Sequence, residues 1–180
     1  MHEPFGDWDA YAEFANFLVR VNSIEEHTQL WWSVRPHLAF PTVETRICDG
    51  QPEIGEAIAL AALVYALTAR IARAIDDGEP LPAYSHRLIE ENFWRAIRHG
   101  LSGELLDLGA YPDRARVRSA REALEELVAW VLPVAEELDV APYLTVPAQN
   151  PAERQAARYA SGQGLDEIYA QEVLEAARVS

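Results

Sequence analysis

The sequence predicts a predominantly helical α+β chain with one short antiparallel hairpin and about six helices. Three observations carry this. Apolar residues recur at helical spacing in six stretches, each bounded by a capping residue, proline or glycine. Only PTVETRICD, Pro41 to Asp49, alternates with period two. The composition, 49% apolar with five tryptophans in 180 residues, is enough for an ordinary core, so residues 1–180 are expected to form a single domain.

Asp7 suits the N-cap of a first helix running to about Val21, with Tyr11, Phe14, Leu18 and Val21 as its apolar stripe. Two strand-like runs follow, His27 to Val34 and Pro41 to Asp49, joined by RPHLAF, where Pro36 and Pro41 should interrupt a continuous ladder. In the second run Val43, Thr45 and Ile47 share one face. Thr42, Glu44, Arg46 and Cys48 share the other, which places a carboxylate and a guanidinium roughly 7 Å apart along one strand.

Pro52 fits a first helical turn, and a long helix is predicted from about Glu53 to Asp76, stopped by Gly78. It is apolar nearly all round, which predicts a central, buried helix with Val43 and Ile47 packed against it. GEPLPAY breaks the chain. Ser85 then caps SHRLIEENFWRAIRHG, whose face Ile89, Phe93, Ala96 and Ile97 has Asn92 and His99 at its border and Arg95 beyond. An irregular stretch containing Tyr111-Pro112 leads to a helix from about Arg116 to Glu137, which Pro133 should kink. Asn150-Pro151-Ala152-Glu153 has the composition of a capping box, opening a helix to about Ala160; a last helix covers about Leu165 to Arg178.

Charge and composition narrow the function. A net charge of -14 argues against nucleic acid or an anionic membrane as partner. All fifteen basic residues are arginine, so no Schiff-base or P-loop lysine is available, and forked recognition of carboxylate or phosphate is the chemistry on offer. Cys48 is the sole cysteine, which rules out an internal disulfide and a thiolate metal cluster. Met1 to Asp9 is acidic and lacks the apolar stretch of a secretory signal. The richest apolar run, Ala57 to Leu67, falls short of the about 20 residues needed to span a bilayer, so a soluble cytoplasmic protein is expected.

No dinucleotide fingerprint, Walker A sequence, paired-histidine zinc helix or nucleophile elbow occurs, and His2, His27, His37, His86 and His99 show no ligand spacing. They read as surface or capping residues. The Glu91–Arg95 spacing reads as an exposed i,i+4 ion pair. Glu44 and Arg46 stand apart, because they share a strand face in a segment flanked by Trp31 and Trp32. Such a carboxylate could hold a divalent cation, and such an arginine could neutralise phosphate or grip a carboxylate.

The run LWWSVRPHLAFPTVETRICDGQP, with its Arg-Pro, loop and Thr-x-Glu-x-Arg strand ending in Asp, resembles the carboxylate-amine ligase family of the glutamate-cysteine ligase type. PFGDWDAYAEF, ENFWRAIRHGL and PAERQAARYASG resemble further segments of that family in the same order, so the likeness covers nearly the whole chain. The resemblance implies the C-terminal half of a catalytic domain related to glutamine synthetase, in which a curled antiparallel sheet binds ATP and metal on its polar face. It implies ATP-dependent joining of a glutamate-like acid to an amine such as cysteine, through an acyl phosphate. It further implies Arg46 and Arg35 as catalytic residues, Arg46, Asn92 and Arg95 as substrate or ATP contacts, and Glu44 as a Mg²⁺ ligand.

Members of the family are about twice this length, and Met1 falls where their chain is half finished. The expectation is therefore a fragment, a truncated frame or one piece of a split enzyme, completed by an N-terminal half or by a second copy. The rival expectation is a non-catalytic helical module that binds a partner through its open strand edges.

Overall fold

A computed structural model describes residues 5–110, 114 and 116–177. The chain folds as two compact units, Met1–Asp49 and Gly50–Ser180. The described residues are predominantly helical α+β with six α-helices, as the periodicity predicts, and their strands form two antiparallel pairs rather than one.

In the first unit, α1 spans Trp8–Arg20 and is capped by Asp7, whose carboxylate accepts from the Ala10 N–H at 2.8 Å. Tyr11 and Ala15 are its buried residues, while Phe14 and Val21 of the expected stripe stay exposed. Aromatic rings do most of the filling here: Trp32 meets Phe5, Tyr11 and Phe14 at centroid distances of 5.8, 6.1 and 6.2 Å. His27–Gln29 forms a 3-10 turn where a strand was expected, because the polar sequence Glu26 to Gln29 hydrogen-bonds locally instead of pairing.

Strand β1, Val34–Pro36, pairs antiparallel with β2, Val43–Thr45, in the register Val34 to Thr45, Arg35 to Glu44 and Pro36 to Val43. Arg46 N–H donates to Ser33 O and His37 N–H to Thr42 O, which extends the pairing at both ends. The hydrogen-bonded positions therefore alternate as 33/46, 35/44 and 37/42, and Pro36 falls at a non-hydrogen-bonded position. That is why the ladder admits this proline, contrary to expectation. Another expectation fails: Val43 and Ile47 are 54% and 51% exposed, not buried.

In the second unit, α2 spans Ile54–Asp76 and ends at Gly78, whose φ of +68° permits the Glu79 N–H to reach back to Ala74 O. Helix α3, His86–His99, leads to β3, Glu104–Leu106, which pairs with β4, Val117–Ser119. This second hairpin replaces the irregular stretch of the prediction; Tyr111 and Pro112 lie outside the described residues. Helix α4, Ala120–Glu137, begins at the Ser119 cap rather than at Arg116 and continues through Pro133. Helices α5, Pro151–Ala160, and α6, Leu165–Ala176, follow, with the predicted Asn150–Glu153 capping box formed.

The core joins α2 to α4 through Ala66, Val131 and Ala135, all fully buried, with Leu63, Leu67, Leu127 and Leu144 around them. Yet α2 is not the central helix expected. Only Ala62, Ala66 and Ala74 are buried along it, and Tyr65 and Ile75 are 54% and 63% exposed, because α4 and the turn at Ala141–Tyr143 cover one side of it. With 23 residues, Ile54–Asp76 also exceeds the short apolar run considered above and is long and apolar enough, by length and composition alone, to cross a membrane. Its Arg70 and Arg73 pair with Glu79 and Glu137.

Candidate active site

The β1–β2 pair sets four chemically capable residues on one face. Arg35 and Glu44 are direct cross-strand partners, and the alternation adds Arg46 on one side and His37 on the other. Arg35 Nη2 donates to Glu44 Oε2 at 2.5 Å, and Arg46 Nη1 lies 3.7 Å from Glu44 Oε1. One carboxylate thus stands between two guanidiniums.

Their surroundings differ. Arg35 is 9% exposed, and its Nη1 donates to the carbonyls of Thr28 and Leu30. Tyr11 lies beside it, its hydroxyl donating to Pro36 O at 2.8 Å; burial pushes that hydroxyl's pKa up, and the Arg35 charge pulls the other way. Arg46 is a third exposed, with its guanidinium carbon 6.0 Å from the ring centre of Trp31, whose own exposure is 79%. Of the paired tryptophans, Trp32 enters the core and Trp31 does not.

A cleft beside Arg35 is lined by Glu26, His27, Thr28, Arg35 and residues 36–39. His37 Nδ1 accepts from the N–H groups of Ala39 and Phe40, which fixes the loop between the strands and places the ring proton on Nε2. His27 Nε2 contacts Asn16 Oδ1 at 3.0 Å. Both histidines, expected as surface or capping residues, line this cleft, whose local signal in the sequence is a histidine two residues after Arg35 on an alternating strand.

Asn92 and Arg95 sit on α3 in the second unit. The Asn92 amide is committed at both ends, donating to Leu106 O at 2.9 Å and accepting from Leu106 N–H at 2.7 Å. Arg95 Nε donates to Glu91 Oε1 at 2.9 Å, the i,i+4 pair read from the spacing. Arg35, Glu44 and Arg46 belong to the first unit.

Among the described residues no three of the histidine, cysteine, aspartate and glutamate side chains converge as a metal site. Glu44 offers one hard oxygen donor: Oε2 is held by Arg35, whereas Oε1 has only the long contact with Arg46 and its side chain is 49% exposed. That oxygen suits Mg²⁺ as a single ligand in a set completed by other groups.

The profile of glutamate-cysteine ligase family 2 (GCS2) matches residues 1–159, and the chain belongs to that family. Two similar proteins, from Frankia alni and Frankia casuarinae, both bear the name "Putative glutamate-cysteine ligase 2-1"; they are 43% identical over 141 residues and 37% identical over 166 residues. These alignments cover 78% and 88% of this chain but 36% and 42% of the relatives. A protein from Gloeobacter violaceus, named "Putative glutamate-cysteine ligase 2", is 35% identical over 92% of this chain and 45% of its own length. The chain therefore spans less than half the length of the relatives it matches.

Proposed function

We propose that this chain carries part of the active site of an ATP-dependent carbon-nitrogen ligase of the glutamate-cysteine ligase type. Membership in the family supports the class, and the observation that carries the site is the shared face of Glu44 and Arg46, with Arg35 behind Glu44. The substrates are a glutamate-like acid, an amine such as cysteine, and ATP. In the reaction the acid's carboxylate oxygen bonds to the γ-phosphorus as the bond to ADP breaks. The amine nitrogen then attacks the acyl carbon, phosphate leaves with its bonding electrons, and the nitrogen loses a proton.

Arg46 acts by neutralising phosphoryl oxygens as charge moves onto them, a role for which a forked guanidinium one third exposed is suited. Glu44 Oε1 would be one ligand of Mg²⁺, and the ion, when bound, supplies charge neutralisation at the phosphates. No protein nucleophile enters the reaction. Small-molecule substrates of this kind fit a soluble, cytoplasmic enzyme, and the acidic chain is poorly matched to nucleic acid or a membrane surface.

The metal set and the sheet are the limits of this chain alone. Among the described residues the strands are three residues long in two-stranded pairs, which cannot enclose a water-poor cavity. The 180 residues by themselves are therefore expected to turn over slowly or not at all, and further protein, an N-terminal half or another copy, would complete the site. The same open strand edges support the second reading, a non-catalytic module that binds a partner by strand pairing. The test is phosphate release with ATP, Mg²⁺, glutamate and cysteine, by the chain alone and with the separately supplied N-terminal part of the Frankia alni relative. Turnover only in the mixture is the expected result. Association without turnover would support the second reading, and robust ligation by the isolated chain would overturn the account of a shared site.

A further inference from the structure

We infer that Arg35 is a positioning residue: it holds Glu44 by one oxygen and so leaves Arg46 as the guanidinium of this face that meets a ligand. The inference rests on the proposed function for its consequence and on geometry for its content.

Arg35 is 9% exposed and its two terminal nitrogens are already occupied. Nη1 takes the carbonyls of Thr28 and Leu30, and Nη2 takes Glu44 Oε2 at 2.5 Å. A ligand oxygen arriving there would have to enter a nearly sealed site in which three of the five guanidinium N–H groups are already committed, or displace one of those partners and leave it unpartnered. Arg46 has the opposite situation. It is a third exposed, its link to Glu44 is 3.7 Å long, and the exposed Trp31 ring backs it at 6.0 Å. The two arginines, alike in sequence as flanking basic residues, are thus divided between holding and binding.

Glu44 is the joint between them. Its position as the hydrogen-bonded cross-strand partner of Arg35 fixes its backbone, and the Arg35 contact fixes its Oε2. Without Arg35, the carboxylate is free to close on Arg46, shorten the 3.7 Å contact and neutralise the charge that would meet phosphate. Lysine cannot substitute, because a point charge does not reach two backbone carbonyls and a carboxylate in one plane.

The experiment uses the full chain and three variants, Arg35→Lys, Glu44→Gln and the double substitution. It reads the Arg46 Nε–Hε resonance by ¹⁵N NMR, unfolding temperature, and Mg²⁺–ATP titration. Arg35→Lys is expected to shift the Arg46 resonance and lower unfolding temperature by several degrees; with Glu44 already Gln, it should leave that resonance in place. Where ATP is bound, its affinity should fall about tenfold for Arg35→Lys alone and no further on adding it to Glu44→Gln. An unmoved Arg46 resonance in folded Arg35→Lys, or an equal shift in the double variant, would overturn the inference. If Arg35→Lys does not fold, Glu44→Gln reads the same joint from its other side, and an unchanged Arg46 resonance there would overturn it. A wild-type chain that takes up no ATP, alone or with the N-terminal part of the Frankia alni relative, counts against this chain's share in the ligase reading, while the resonance still decides the role of Arg35.

Discussion

The two hairpins have three-residue strands and the same antiparallel pairing but handle their polar groups in opposite ways. In β1–β2 the cross-strand partners are themselves charged, and a buried arginine is held by backbone carbonyls so that a carboxylate and a second arginine stand partly in water. In β3–β4 the polar work is done from outside: the Asn92 amide closes on both backbone groups of Leu106, and Glu153, at the start of α5, accepts from the Ser102 N–H just before β3 at 2.8 Å. Charge left with spare coordination is a feature of a site. Polar groups closed on each other, as Asn92 and Leu106 are, are a feature of a scaffold. This difference is the ground for proposing chemistry at the first hairpin and anchorage at the second.

Breaking the anchorage should have the largest effect on stability. Asn92→Ala removes two hydrogen bonds and leaves the partly buried Leu106 N–H and C=O without them, a loss of about 2 kcal/mol that chemical denaturation would read. An unchanged midpoint would mean that the clamp is incidental and that Asn92 is available for a ligand after all.

Glu153 gives the next effect and a pH dependence. Burial alone would raise its pKa, but hydrogen bonds from the backbone of Asn150, Ser102 and Leu101 outweigh it and hold the carboxyl below its usual value. The unfolded chain consequently takes up a proton, near the ordinary pKa of about 4.3, at a pH where folded Glu153 is still ionised. Its contribution is full above that pH and is lost as pH falls through the lower folded value. Glu153→Gln should remove about 1 kcal/mol at neutral pH and make the acid-side decline of stability shallower. An identical decline in both proteins would assign it to other carboxylates.

Arg46→Lys should have the smallest effect on folding, within about 0.5 kcal/mol, since its contacts are a long surface ion pair and a ring at 6.0 Å. A large loss of stability would make Arg46 part of the scaffold and erase the contrast between the hairpins.

The helices were legible in the sequence because their ends are local: Asp7, Gly78 and the Asn150–Glu153 box act within a few residues, whereas the Ser119 cap went unread and the start of α4 was placed at Arg116. The pairing face of Glu44 and Arg46 was legible for the same reason, through strict alternation. What alternation could not give was which face is covered. That is decided by Arg35 reaching Thr28 and Leu30, contacts that no periodicity encodes, and so Val43 and Ile47 were misplaced in a core. The second hairpin was missed because each of its strands is three residues long, and Val117 to Ser119 runs directly into a helix. The Asn92 clamp was not legible because its partner lies 14 residues away. Helix α2 was expected to be central because composition reports what a helix can bury, not what the chain places over it.

The claim that the first hairpin carries the ligation chemistry is tested most directly by phosphate release in the mixture of this chain with the N-terminal part of the Frankia alni relative, comparing wild type with Arg46→Lys. The account predicts release that depends on glutamate and cysteine, and a fall of at least about tenfold for Arg46→Lys with unfolding unchanged. Full turnover by the Arg46→Lys protein would contradict it.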